Sequence, residues 1–188
     1  MIIHGKKGNP AEIDETSGGL ITLDYAHHEI HEGDAFTQFH AAGSKNDGTS
    51  INMYFKTPDT AKRIHILMVW ASTGAAYGRI LEAPTVTGNT GSHVTILNHR
   101  RDSTNTSGVL DNSTAQTVNK ASKDVTTSSG TTIYEEYSGA AKTSAGAGRN
   151  LAEYILNANT KYVFEVESDA ASLVLSMALH WYEHTDTF

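Results

Sequence analysis

The sharpest pattern in the chain lies over Ala171–His184, read ASLVLSMALHWYEH. Leu173, Leu175, Met177, Leu179 and Trp181 occupy every second position, with Val174, Ser176, Ala178, His180 and Tyr182 between them. A period of two puts successive side chains on opposite faces, so the segment predicts a long strand with one apolar and one mixed face. Ile51, Met53 and Phe55 repeat the pattern against Asn52, Tyr54 and Lys56. Asn46-Asp47-Gly48 marks a turn before that strand, and Thr57-Pro58-Asp59 ends it, because proline cannot donate to a ladder. Ile64, Ile66, Met68 and Trp70 mark a further strand with Leu67 and Val69 behind. That run is apolar enough to predict a central strand covered on both faces.

Strands are also expected over Tyr77–Ala83 (stopped by Pro84), His93–Asn98, Thr131–Tyr137 and Lys161–Glu167. In the last of these, Tyr162, Phe164 and Val166 face one way while Lys161, Glu165 and Glu167 face the other. Ser72-Thr73-Gly74, Asp169-Ala170 and Gly33-Asp34 read as turns. Leu151–Leu156 fits a helical turn or a strand equally well, and Ser138–Gly148 reads as small and flexible. Asp102–Gly130 is rich in Ser, Thr, Asn and Asp. A structureless loop of that length is uncommon in a compact domain, so it reads as an exposed functional loop or a weak strand pair seeded at Val118 and Val125. Residues 1–19 are polar apart from Ile2-Ile3 and read as an extended arm, followed by a short strand over Leu20–Leu23.

Eight to ten short strands with no long helix require two packed sheets or one closed sheet. The expected fold is all-β, a jelly-roll-like two-sheet sandwich over residues 20–188 preceded by the arm at 1–19. At 188 residues the chain can form one domain with a sizeable core. It contains no cysteine, which removes disulfides and thiolate chemistry. The opening MIIHGKKGNPAEIDE lacks the apolar stretch of a signal peptide, and no apolar run reaches bilayer length, so no membrane partner is expected. The formal net charge of −7, with only the short basic pairs Lys6-Lys7, Lys62-Arg63 and Arg100-Arg101, argues against direct nucleic-acid binding.

The densest titratable cluster is His27, His28, Glu29, His31, Glu32, Asp34 and His40. On a strand, His27, Glu29 and His31 would share one face, which makes His27 and His31 the candidate metal ligands. Against that reading, HHEIH is not H-E-x-x-H and no helix is expected around it. His28 and His31 are three apart, which does not match the cupin pattern. No serine sits in a G-x-S-x-G elbow, and Glu165 and Glu167 face outward where solubility places carboxylates. No catalytic or cofactor-binding residue is assigned and no cofactor is expected. In the terminal WYEH, Trp181 continues the core face, leaving His180, Tyr182 and Glu183 to bond or touch a neighbour.

Several segments carry a family resemblance: HEGDAF (31–36), FKTPDTAKRIHI (55–66), ILEAPTVTGNTGSHVTILNHRRDS (80–103), SSGTTIY (128–134), LNANTKYVFEVES (156–168) and the terminal WYEH (181–184). In this order the chain resembles a group of small proteins of tailed phages and prophages that serve as capsid decoration, or cement, proteins with a jelly-roll-like fold. The resemblance runs from about residue 31 onward. It implies a non-enzymatic virion protein, made in the bacterial host cytoplasm and carried on the outer surface of the capsid. Its partner would be the phage major capsid protein, and it would self-associate, with a trimer favoured. The residues expected to touch neighbours are Ile2, Ile3, Lys6 and Lys7 in the arm, Asn98, Arg100 and Arg101 in one loop, and Tyr182 and His184 at the end of the last strand. The arginines are chosen because their forks bind carboxylates bidentately. Two other readings stay open. One is a carbohydrate-binding sandwich of a tail fibre or lectin, using Tyr25, Tyr54, Tyr77, Tyr134 and Tyr137. The other is a metal-dependent β-barrel enzyme using His27, His28 and His31.

Overall fold

The period-two segments form strands, and their pairing is nested. The computed structural model describes residues 25–139 and 153–185. The expected arm, the strand over Leu20–Leu23 and residues 140–148 of the small-residue stretch lie outside the described residues. In chain order the elements are α1 (Tyr25–Glu32), β1 (Ala35–Lys45), β2 (Ser50–Lys56), β3 (Lys62–Ser72), β4 (Ala76–Glu82), β5 (Thr85–Val86), β6 (Ser92–Thr95) and β7 (Leu97–Asn98). They continue with β8 (Lys120–Lys123), β9 (Thr127–Ser128), β10 (Thr131–Ser138), β11 (Glu153–Leu156), β12 (Lys161–Ser168) and β13 (Leu173–Thr185). One sheet has the order β11-β3-β13-β1-β7, the other β10-β4-β12-β2-β8-β6, and β5-β9 is a separate ribbon. β1 pairs with β13, β2 with β12, β3 with β11 and β4 with β10, all antiparallel. The chain is thus one long hairpin rolled up on itself, the wrapping of a jelly roll.

The core lies between the sheets. On β13 every second residue from Leu173 to Glu183 is buried, which reproduces the sequence alternation. Phe36 (β1) and Trp181 (β13) lie 6.1 Å apart on one sheet, Phe55 (β2) and Phe164 (β12) 5.3 Å apart on the other, and Phe55 meets Trp181 across the layer at 5.6 Å. Such pairs contribute about 0.5–1.5 kcal/mol each beyond simple burial. Nearer the other end, Trp70 of β3 lies against Gly78 of β4, where a Cβ would come within 2.3 Å of the indole Nε1. Gly78 is therefore a requirement of close sheet-to-sheet approach.

The long polar excursion from residue 83 to 130 is ordered by hydrogen bonds more than by apolar burial. It adds β8 and β6 to the edge of the six-stranded sheet beyond β2. Strand 92–98 breaks at Ile96, where the chain passes from β6 in one sheet to β7 in the other. Val86 and Val125 close over Tyr54, Val163 and Leu81 on the outer face of the six-stranded sheet. Asn52 pins Val125 through both its backbone N–H (2.8 Å) and its carbonyl (3.1 Å). Asn112 donates to the carbonyls of Thr87 and Thr90, and its side-chain oxygen accepts from Ser122. Asp111, 1% exposed, accepts from the backbone N–H groups of Ser113 and Thr117 and lies 3.3 Å from His93 Nδ1. Burial works to raise the Asp111 carboxyl, but the hydrogen bonds from Ser113 and Thr117, with His93 adding, hold it below the ordinary carboxylate range. Val118 does not seed a strand; it lies at an isolated bridge to Leu110 and is exposed. Val125 is a buried residue between β8 and β9.

Two further expectations are corrected, and two left open are decided. The HHEIH segment is the helix α1, not a strand. It has a single β-branched residue, Ile30, and Gly33 (φ +81°) supplies the left-handed position that ends a helix. The N–H of Gly33 bonds to the Ile30 carbonyl, and that of Asp34 to the Glu29 carbonyl, the paired bonds of a Schellman end. Second, β3 is central but covered on one face only: Ile64, Ile66, Met68 and Trp70 are buried, whereas His65, Leu67 and Val69 are half-buried. Third, the ambiguous 151–156 segment contains strand β11. Fourth, Glu183 does not face a neighbour. It is 2% exposed and accepts hydrogen bonds from Ser107 Oγ, the Gly108 N–H and the Trp181 indole, fastening the polar excursion to β13.

Two measurements check this packing. Gly78→Ala is expected to lose about 1–3 kcal/mol in urea unfolding, and a change under about 0.5 kcal/mol would show that Trp70 does not seat on Gly78. Asp111 has a folded pKa below its unfolded value, so its contribution is present above about pH 4 and lost as pH falls through the folded value. Asp111→Asn should therefore cost about 1–3 kcal/mol at pH 7, with the gap to the parent chain shrinking between about pH 5 and pH 2. A gap that stays constant over that range would contradict the assignment.

Candidate functional site

The two outer faces of the sandwich differ in kind. On the six-stranded sheet, the excursion covers the Tyr54–Val163 patch, and charge covers much of the rest. Arg79 is the hub: its Nε lies 2.6 Å from Glu135, and NH1 lies 2.7 Å from Glu167 and 3.5 Å from Glu165. Burial pushes the Glu165 carboxyl up, and Glu167 beside it adds to this, while Ser50 and Arg79 oppose them. Tyr77 and Tyr137 stack next to this network at 4.7 Å, with the Arg79 guanidinium 4.7 Å over the Tyr77 ring.

The five-stranded sheet turns a different surface outward. Register places His180 beside Leu67 and Thr37, Ala178 beside Val69 and Phe39, and Ser176 beside Ala71 and Ala41. Ile155 of β11 sits beside His65, and Tyr182 on its other side. Phe39 (58% exposed), Ile155 (61%) and Val174 (49%) are three of the five exposed large hydrophobic residues among the described ones, and all lie on this face. Of the outward side chains on its described strands, only Arg63 and Glu153 carry a permanent charge. Exposed apolar groups of this size are costly to leave in water, and a face low in charge that carries phenylalanine and tyrosine has the composition found at interface centres.

Histidines cluster at one end of this face. His65 Nδ1 lies 3.0 Å from Glu153 Oε1, and the Tyr182 hydroxyl donates to the same oxygen at 2.6 Å. Tyr182 stacks on His65 at 4.7 Å and 19°, and His184 Nε2 is 2.7 Å from His65 Nε2. Further along, His180 Nδ1 lies 3.4 Å from His99 Nε2 and 3.3 Å from Thr37 Oγ1.

The predicted contact residues fall into three groups. Tyr182 and His184 are on the apolar face, as parts of the histidine cluster. Asn98 and Arg100 are engaged within the chain: Asn98 Nδ2 donates to the Gly33 and Asn105 carbonyls, and Arg100 binds Asp102 and the His31 carbonyl. They fasten the 98–105 turn to the end of α1. Arg101 is exposed, with one bond to the Asn98 carbonyl. Ile2, Ile3, Lys6 and Lys7 lie outside the described residues. His27 and His31 are brought together, Nε2 to Nε2 at 3.0 Å, because a helix sets positions four apart on one face. Glu29, expected beside them, turns inward and is buried. Among the described residues no three or more His, Asp or Glu side chains gather as a metal-binding group. The sequence reading missed Phe39, Val174, Ile155 and His65 as surface-site residues. The signal available was the apolar second face of 64–70, which was read as burial.

Of the tyrosines considered for sugar stacking, Tyr54 is buried, and burial with the Asp111 charge pushes its hydroxyl up to about 12. Tyr134 is half-buried against the core with its hydroxyl on Glu136. Tyr77 and Tyr137 remain together on an outer face, and the Tyr25 side chain is outside the described set.

Replacing Phe39 and Ile155 together with serine is expected to leave the unfolding free energy within about 1 kcal/mol of the parent, as for exposed positions. A loss above about 3 kcal/mol in urea titration would mean that these side chains belong to a core. No family model, curated protein or solved structure matches this chain.

Proposed function

We propose that this chain is a non-enzymatic virion structural protein, a decoration subunit that binds the major capsid protein on the outside of a tailed-phage head and stabilises the shell. The observation that carries the reading is the exposure of Phe39, Val174 and Ile155 on the outer face of the five-stranded sheet, with the Lys123 ammonium 5.2 Å over the Phe39 ring at one edge. The ordered motifs from HEGDAF to WYEH support it through the resemblance they carry. A cement protein resists outward strain, which suits a jelly roll in which β1 and β13, the first and last of the described strands, are locked side by side. Docking one sheet face flat on a shell buries apolar area without any loop having to order. Many equivalent sites then turn modest single contacts into stable decoration. The net charge of −7 suits an exterior position away from nucleic acid. In this reading copies associate as trimers, and residues 1–19, with Ile2, Ile3, Lys6 and Lys7, extend the contact to a neighbouring subunit.

A second reading, a glycan-binding sandwich, rests on the exposed Tyr137 against the half-buried Tyr77 beside Arg79. Saturable sugar binding on a glycan array, lost in Tyr137→Ala, would favour it.

The direct test is co-sedimentation with empty expanded shells assembled from a tailed-phage major capsid protein. The parent chain should saturate the shells. Phe39→Asp with Ile155→Asp should bind at least 10-fold more weakly while keeping the parent circular-dichroism spectrum. Failure of the parent chain to bind the shells would remove the proposal, and equal binding by the variant would remove the apolar face from it.

A further inference from the structure

Two imidazoles from different strands converge where β3 and β13 run side by side. His65 Nε2 and His184 Nε2 are 2.7 Å apart, with ring centroids at 4.5 Å. Every group around them fixes the rings. Glu153 of β11 takes the Nδ1 side of His65 at 3.0 Å, and Tyr182 stacks on both rings, at 4.7 and 5.8 Å. The Tyr182 hydroxyl, 3.1 Å from the same Nδ1, gives its hydrogen to Glu153 at 2.6 Å, so the tautomer these contacts favour has the His65 hydrogen on Nδ1, toward Glu153, and the lone pair on Nε2. That lone pair points at the second imidazole, and a single proton is what lies between the two nitrogens. A carboxylate behind one imidazole, with its far nitrogen aimed at a second imidazole, is the donor arrangement that orients histidine toward a metal ion.

We propose that His65 and His184 form a two-imidazole site for a first-row divalent cation of the zinc, nickel or copper type. Imidazole nitrogen suits these ions and does not suit magnesium or calcium. Zinc–nitrogen bonds of about 2.0–2.1 Å at a tetrahedral angle place the two nitrogens about 3.3 Å apart. The pair therefore has to open by roughly half an ångström, within reach of small side-chain rotations on an open sheet face. The cation replaces the shared proton, and His184 carries its hydrogen on Nδ1. The two imidazoles leave further positions of the shell to be filled by other ligands, water or a group from a second molecule among them. Because the imidazoles bind only when deprotonated, occupancy falls in acid. The inference does not rest on the shell-binding reading and is tested on the isolated chain.

The test is zinc chloride titration of the full chain by calorimetry at pH 7.5, in a His27→Ala/His31→Ala background that removes the helical pair 3.0 Å apart. One equivalent should bind with micromolar affinity. His184→Gln and His65→Gln should each weaken that equivalent more than 10-fold, and Glu153→Gln by about 10-fold. His99→Gln, from the other pair on the face, should leave it unchanged. Circular dichroism establishes that each variant is folded. Histidine proton NMR of the background chain gives a second readout without touching the pair: zinc should shift two imidazoles of this cluster at substoichiometric amounts. The proposal is overturned if no equivalent binds below about 1 mM, if His65→Gln and His184→Gln leave binding intact, or if zinc shifts other histidines first.

Discussion

The pairing of β1 with β13 is the contact on which the rest depends. It sets Ala35 opposite Tyr182 and continues to Lys45 opposite Leu173, so it ties together the two ends of the described chain. Closing so long a loop costs entropy that grows only logarithmically with length, and the nested pairs inside it share that cost. β13 also pairs with β3 from Leu175 to Thr185, so its inner residues lie mid-sheet in the core. Pairing dominated by distant segments predicts slow folding. It also leaves β13 hydrogen-bonded along both edges, to β1 on one side and to β3 on the other.

With both inner faces committed to the core, function is left to the outer faces and the excursion. The chain spends them unequally. One outer face carries the Arg79–glutamate network and is partly roofed by residues 83–130, which are held by a buried lattice of Asn52, Asp111, Asn112 and Ser122. The other keeps Phe39, Val174 and Ile155 in water beside Leu67 and Val69. Nothing in the folding of a monomer requires that second choice. It is the arrangement expected where another molecule supplies the missing layer. The histidines grouped at its end give the same face a means of recognising more than apolar shape.

Much of the sandwich was legible because alternation is a strong signal where one face is buried. β13 follows its sequence pattern residue by residue, whereas β2 and β12 match on the inner face only, because the excursion also buries Asn52, Tyr54 and Val163 on the other. The same rule failed at β3, since an apolar second face reads identically whether the covering layer comes from the same chain or from another. It failed at α1 because His27, Glu29 and His31 fit a period of two, while the decisive residue, Gly33, lies beyond them and acts through its backbone. The excursion was opaque because its order comes from side-chain bonds to backbone between residues such as Asn112 and Thr87, which leave no hydrophobic period. The His65–His184 pair was invisible for a simpler reason: 119 positions separate the two, and only the strand register brings them together.

A cryo-electron reconstruction of decorated shells, resolved to side chains, tests the central claim most directly. The account predicts that the capsid surface covers Phe39, Val174 and Ile155, while the Arg79 face stays in solvent. Shells contacted through the Arg79 face, with the apolar face left open to water, would contradict it.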